Sequence, residues 1–119
     1  MEKTIPTTLI EIISSTNFLL DAWKKLRKTN RLSKGLSGIT INSFEKDLEK
    51  NISQICKDLK SGNYRFQPTR AVVIKKDNGK YRPLQIPEIR DRVVLKAISI
   101  LLENELEEYL NSSKGINFA

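Results

Sequence analysis

Residues 64–96 read YRFQPTRAVVIKKDNGKYRPLQIPEIRDRVVLK, and this stretch decides the fold. At its centre, Asp77-Asn78-Gly79-Lys80 is a hairpin signal, because Asn and Gly tolerate the positive φ that a type I′ turn demands at both central positions. A two-residue turn here predicts strands running back from Ile74 to Arg70 and forward from Tyr81 to Ile86, with Lys76 opposite Tyr81. Both strands are fairly rich in β-branched, Leu or aromatic residues, and each is studded with cations. Pro87 stops the second strand and starts a helix running from about Glu88 to Leu110, since Pro suits a first helical turn and cannot donate inside a ladder. The stretch carries nine Lys and Arg against three Asp and Glu, a net +6 within a chain of net +7. A basic hairpin thus feeds a helix whose first turns hold Arg90, Arg92 and Lys96, which is a phosphate-binding surface in outline.

Upstream, Phe44, Leu48, Ile52, Ile55 and Leu59 recur every three or four residues and predict a helix, with Asn42 and Glu45 as its capping box and Gly62 as its stop. Asn30 to Thr40 is a loop, broken by Gly35, Gly38 and two serines. Before it, Leu19, Ala22, Trp23 and Leu26 mark an amphipathic helix ending near Thr29, with Ser15, Thr16 and Asn17 as candidate caps. Lys24, Lys25, Arg27 and Lys28 lie on its exposed side, either as a solvated face or as a reach towards nucleic acid. The run Leu9 to Ile13 after Pro6-Thr7-Thr8 fits a short helix or an extended arm. Downstream, Val93, Val94, Leu95, Ala97, Ile98, Ile100, Leu101 and Leu102 make the helix apolar on nearly every side, so it is buried or awaiting a partner. Glu103, Glu105, Glu107 and Glu108 then form a solvated helix end, leaving residues 97–119 at net −3. The fold class is α+β: N-terminal helices, a basic β-hairpin and a long following helix.

A chain of 119 residues that is 39% hydrophobic supports one modest domain with a limited core. The net +7 favours a polyanionic partner, and nucleic acid over a membrane, since no apolar run approaches the ~20 residues that a spanning helix needs. No signal peptide is legible, and a single cysteine, Cys56, suits a reducing cytoplasm and a packed thiol beside Ile55 and Leu59. With no His and one Cys, a zinc site has almost nothing to draw on. The five aspartates, Asp21, Asp47, Asp58, Asp77 and Asp91, are scattered. Asp77 fits a turn and Asp91 a first-turn acid favoured by the helix dipole, neither of them a metal ligand. Tyr64 and Tyr81 either pack structurally or pack against a base of the nucleic acid.

Tyr64-Arg65, Pro68, the hairpin with Asn78-Gly79 at its tip, Arg82-Pro83-Leu84-Gln85-Ile86-Pro87 and Arg90-Asp91-Arg92-Val93-Val94 follow one another in an order that resembles a known family. It is that of the fingers segment of bacterial reverse transcriptases of the group II intron type and their retron, defence and CRISPR-associated relatives. The resemblance implies a partial reverse transcriptase domain over residues 1–119, with 1–40 an N-terminal helical extension and loop and 41–119 the fingers core. It implies an RNA template, a DNA or RNA primer and deoxynucleoside triphosphates as partners. Lys76, Arg82, Ile86 and Arg92 correspond to nucleotide-binding positions, with Lys76 and Arg92 the safer pair of the triphosphate clamp. Arg65, Arg70, Lys75, Lys80 and Arg90 correspond to nucleic-acid-binding ones, Arg70 nearer the template.

The family's catalysis uses Mg²⁺, two ions about 4 Å apart held by carboxylates, from a Tyr-x-Asp-Asp motif and an earlier Asp. No Asp-Asp pair occurs here, so the chain is expected to bind no metal and to be inactive alone. It would then await its palm and thumb in cis or trans, or self-associate through the apolar helix. The family's Gly-x-Asp-Gly-Val loop reads Gly35-Leu36-Ser37-Gly38-Ile39 here, without the Asp, and residues 112–119 resemble the opening of the next motif. Two other readings stand beside this one: a stand-alone basic RNA-binding module, and a protein-interaction domain that docks through its apolar helix.

Overall fold

The helix spaced on Leu19, Ala22, Trp23 and Leu26 forms as expected, and those four side chains are its buried ones. The computed structural model describes residues 7–29 and 34–112. It contains α1 (Thr7–Ile13), α2 (Thr16–Thr29), α3 (Ile41–Lys46), α4 (Leu48–Lys60), β1 (Arg70–Lys75), β2 (Tyr81–Ile86) and α5 (Ile89–Ser112). The fold is α+β, a helical layer from which one antiparallel hairpin extends. Pro6, Asn30 and the C-terminal motif beyond Ser112 lie outside the described residues.

The core is contributed by every helix. Ile13 of α1, Leu19 and Trp23 of α2, Ile52, Ile55 and Leu59 of α4, and Ile89, Val93, Val94 and Ala97 of α5 join one cluster. Trp23 and Phe44 of α3 meet with ring centroids 4.8 Å apart. Cys56 is buried and places its Sγ 3.0 Å from the Ser14 carbonyl, so the thiol packs as expected. α1 settles the choice at the N-terminus in favour of a helix.

Two local expectations are corrected. The helix predicted as one piece from Asn42 to Gly62 is two, because Asp47 leaves helical geometry at φ −115°, ψ 37°. Asn51 compensates the break, its backbone N–H donating to Asp47 O at 2.8 Å and its Nδ2 to Phe44 O at 2.9 Å. The cap is also displaced: Thr40, not Asn42, is the N-cap of α3. Ser43 N donates to Thr40 Oγ1 at 3.1 Å and Thr40 N to Ser43 Oγ at 2.8 Å. Glu45, freed from that role, pairs with Arg27 at 2.7 Å. The stop at Gly62 is as expected: with φ 75°, it lets Gly62 N reach Leu59 O and Asn63 N reach Asp58 O, closing the last turn of α4.

Pro87 does stop β2 but does not enter the helix. Arg92 N donates to Glu88 O at 3.0 Å, which makes Glu88 the N-cap of α5 and puts Pro87 one residue outside it. Along α5, Ile89, Val93, Val94, Ala97, Ile100 and Leu101 are buried, whereas Leu95, Leu102, Leu106, Tyr109 and Leu110 are exposed. The all-round apolar sequence therefore serves two faces, of which only one is covered among the described residues. No helix of these residues is long and apolar enough to cross a membrane.

Candidate nucleic-acid interface

The hairpin turn differs from the expected two-residue type I′ form. Lys76 N donates to Lys80 O at 2.7 Å and Gly79 N to Lys76 O at 3.0 Å, enclosing the three residues Asp77, Asn78 and Gly79. Gly79 carries the positive φ, 80°, while no non-glycine residue among those described has one. This is a type I turn closed by a glycine bulge, and it spares Asn78 the left-handed conformation that the two-residue turn would impose. Asn78 Oδ1 instead accepts from Lys80 N at 3.0 Å.

The bulge moves the register by one residue. Lys75, not Lys76, faces Tyr81, and Ile74 faces Arg82, down to Arg70 against Ile86. Side chains alternate across a strand, so one residue of slip changes which cations share a face. Arg70 and Arg82 now stand on the same side of the ribbon, and Lys76 and Lys80, paired beyond the strand ends, continue it. Lys75 falls on the opposite side with Tyr81, which is exposed. The two-residue register had left Lys76 and Arg82 on different faces.

At the base of the hairpin the cations are held inward. Arg70 Nε donates to Lys34 O at 2.9 Å, tying β1 to the loop after α2. Arg92 is only 5% exposed and its Nε donates to Pro87 O at 2.9 Å. Burial lowers its guanidinium pKa, Glu88 opposes this, and the nearby positive charge of Arg70 adds to it. Ile86, at the end of β2, is buried as well. Arg65 is exposed and donates to the carbonyl of Tyr64. Arg90 pairs with Asp58 at 2.9 Å and lies 4.8 Å over the Tyr64 ring. Of the nine positions marked by sequence, the structure thus gathers Lys76, Lys80, Arg82 and Arg70 on one face and sets Arg90, Arg92 and Ile86 into the body.

Two carboxylates at the start of α5 organise this region. Asp91 is 1% exposed, and accepts from the Tyr64 hydroxyl at 2.5 Å and from Gln67 N at 2.8 Å. Burial raises its pKa against those two hydrogen bonds, and burial together with Asp91 pushes the Tyr64 phenol far above its usual value. Glu88 accepts from the backbone N–H of Ser37 at 2.8 Å and from its hydroxyl at 2.5 Å. A Cβ on Gly35 would stand 3.0 Å from Glu88 Cα and Cδ, so the loop crosses the start of α5 where only glycine fits. An Asp in place of Ser37 would set carboxylate against carboxylate. Neither contact has a local sequence signal, since 27 and 51 residues separate the partners.

The group II intron-encoded protein LtrA of Lactococcus lactis subsp. cremoris is 38% identical over 76 residues, 63% of this chain and 12% of its own. The chain is a homologue of group II intron-encoded proteins. An uncharacterized 91 kDa protein in the cob intron of Schizosaccharomyces pombe is 30% identical over 118 residues, 93% of this chain and 14% of its own. A putative COX1/OXI3 intron 2 protein of Saccharomyces cerevisiae is 29% identical over 102 residues, 85% of this chain and 12% of its own. No family model matches the chain. The homologous region is thus about one eighth to one seventh of the length of these relatives.

Among the described residues no three His, Cys, Asp or Glu side chains converge as a metal site. Asp91 is spent on Tyr64 and Gln67, and Asp58 on Arg90 and Gln54.

Proposed function

We propose that the chain is the N-terminal fingers part of an RNA-directed DNA polymerase, which binds RNA template, primer and the phosphates of the incoming deoxynucleotide and is not catalytic alone. The observation that carries this reading is the hairpin register, which puts Lys76, Lys80 and Arg82 on one exposed ribbon face with Arg70 at its root. Homology to group II intron-encoded proteins supports it. Lys76 and Arg82 supply the accessible charge of the clamp. Arg92 and Ile86 form its floor, Arg92 adding its charge behind Arg70. The Mg²⁺ of the complete enzyme would be held by carboxylates of the palm, outside these 119 residues.

RNA binding measured across a salt series tests the reading. A protein releases about one counterion per neutralised phosphate, so Lys76→Ala with Arg82→Ala should weaken binding and flatten the log–log salt slope by about two. An unchanged slope would overturn the assignment of these cations to phosphate. In primer extension with RNA template, Mg²⁺ and deoxynucleotides, the chain alone should yield no product above background. The stand-alone RNA-binding reading makes the same two predictions, and a Tyr-x-Asp-Asp segment encoded downstream of Ala119 separates the polymerase from it.

A further inference from the structure

A cleft of about 630 Å³ lies between the loop at Leu36–Ile39, α3 and α4, the segment at Gln67–Pro68 and the first turn of α5. Small-ligand sites run to roughly 300–1,000 Å³, with apolar walls and a few placed polar groups. Here Leu36, Ile39, Phe44 and Ile89 supply apolar wall. Asn51 and Gln54 commit their amide nitrogens to Phe44 O and Asp58, which leaves their carbonyl oxygens as acceptors. Arg90 gives Nη2 to Asp58 and lies over the Tyr64 ring, so its guanidinium is already engaged at the edge of the cleft. Arg90 is the sole cation of the wall, and Asp47 and Glu88 are also in it, so a phosphate is disfavoured inside.

We infer that this cleft takes one unpaired nucleobase of a single-stranded RNA whose phosphates lie along the hairpin. An uncharged planar ring with N–H donors on its edge matches apolar walls and two amide carbonyl oxygens. Gln67 and Pro68, in the wall, lead within two residues to Arg70, the root of the cationic face. Proteins that bind RNA single strands combine such backbone contacts with pockets for splayed bases. The inference rests on the RNA-binding reading above and adds the base to it.

The test compares a single-stranded RNA 12-mer with an abasic backbone of equal length, both titrated into the full chain. The base-bearing strand should bind about tenfold tighter, within the range reported for stacked bases. Ile39→Trp, at a half-exposed position in the wall, and Gln54→Leu, on the exposed side of α4, should each bring the two affinities to within about twofold. Lys76→Ala with Arg82→Ala should weaken both strands and keep their ratio. Equal affinity of the wild type for both strands, or a ratio untouched by Ile39→Trp, overturns the cleft and leaves the phosphate reading standing. If neither strand binds, the side-chain amide resonances of Asn51 and Gln54 titrated with free guanosine, adenosine, cytidine and uridine decide. Shifts confined to these amides uphold the cleft, and no shift with any nucleoside overturns it. A leucine- or tryptophan-bearing peptide that moves the same amides where no nucleoside does overturns it in favour of a protein ligand.

Discussion

Asp91 joins two segments that are far apart in sequence, and its carboxylate is worth more to the fold than its place in the first turn of α5 indicates. Removing the hydroxyl in Tyr64→Phe leaves Asp91 Oδ1 buried without its strongest donor, and should cost about 1–3 kcal/mol in urea denaturation. Burial raises the Asp91 pKa above its ordinary 3.8, so only between 3.8 and the raised value does the native chain hold more of this proton than the unfolded one. Its contribution to stability therefore falls as the pH rises from 3.8 through the raised native value. Asp58, held low by Arg90, works the other way, and its contribution is lost as the pH falls below 3.8. Melting curves across pH should show the decline above pH 3.8 abolished in Asp91→Asn and extended upward in Tyr64→Phe, where the hydrogen bond that lowers the Asp91 pKa is gone. At Gly35 the constraint is steric. Gly35→Ala drives a methyl against the Glu88 backbone and should destabilise by about 1–3 kcal/mol, whereas Gly38→Ala meets no neighbour and pays only for its positive φ.

Among the elements, the hairpin and the α3–α4 break show how one residue redirects a whole segment. Gly79 is the one residue of the turn in the left-handed region, so Gly79→Ala should cost on the order of 1 kcal/mol there. The outer hairpin is exposed at Val73, Ile74 and Tyr81, so little of that cost reaches the core. Amide exchange should quicken from Val72 to Lys75 and stay unchanged at Val93 and Val94. Equal acceleration at both places would show that the hairpin is part of the core's cooperative unit. The Thr40 cap is local in the same way: Thr40→Ala should cost about 1 kcal/mol, and Asn42→Ala, outside the capping bonds, much less.

For the molecule as a whole, one side of α5 stays exposed among the described residues. Leu95, Leu102, Leu106, Tyr109 and Leu110 recur along one 24-residue helix, and all are 46–61% exposed. Exposed apolar patches of more than a few hundred Å² mark interfaces, and burying the exposed half of each such side chain gains roughly 1 kcal/mol. Sedimentation at high concentration should show species larger than a monomer, and Leu102→Lys with Leu106→Lys should restore the monomer without lowering the melting temperature. A clean monomer in the wild type would argue that this stripe needs a different partner, such as the remainder of a polymerase.

What the sequence by itself determined were features with short-range causes. The period of Leu19, Ala22, Trp23 and Leu26 specifies α2, Gly62 ends α4, and the Asp-Asn-Gly-Lys run fixes where the chain reverses. The homology to intron-encoded proteins was likewise legible in the order of Arg-Pro-Leu and Arg-Asp-Arg-Val-Val. Only the tertiary structure decided which cations share a face, because the choice between a two-residue and a three-residue turn shifts the register by one residue and inverts the alternation. It alone turned Asp91 and Glu88 inward, since their partners at Tyr64, Gln67 and Ser37 reach them through the folding of α5 against the earlier chain. Periodicity reports which side of an element is apolar. It carries no information on what a buried carboxylate meets there, and that is where this fold holds its hairpin, loop and long helix together.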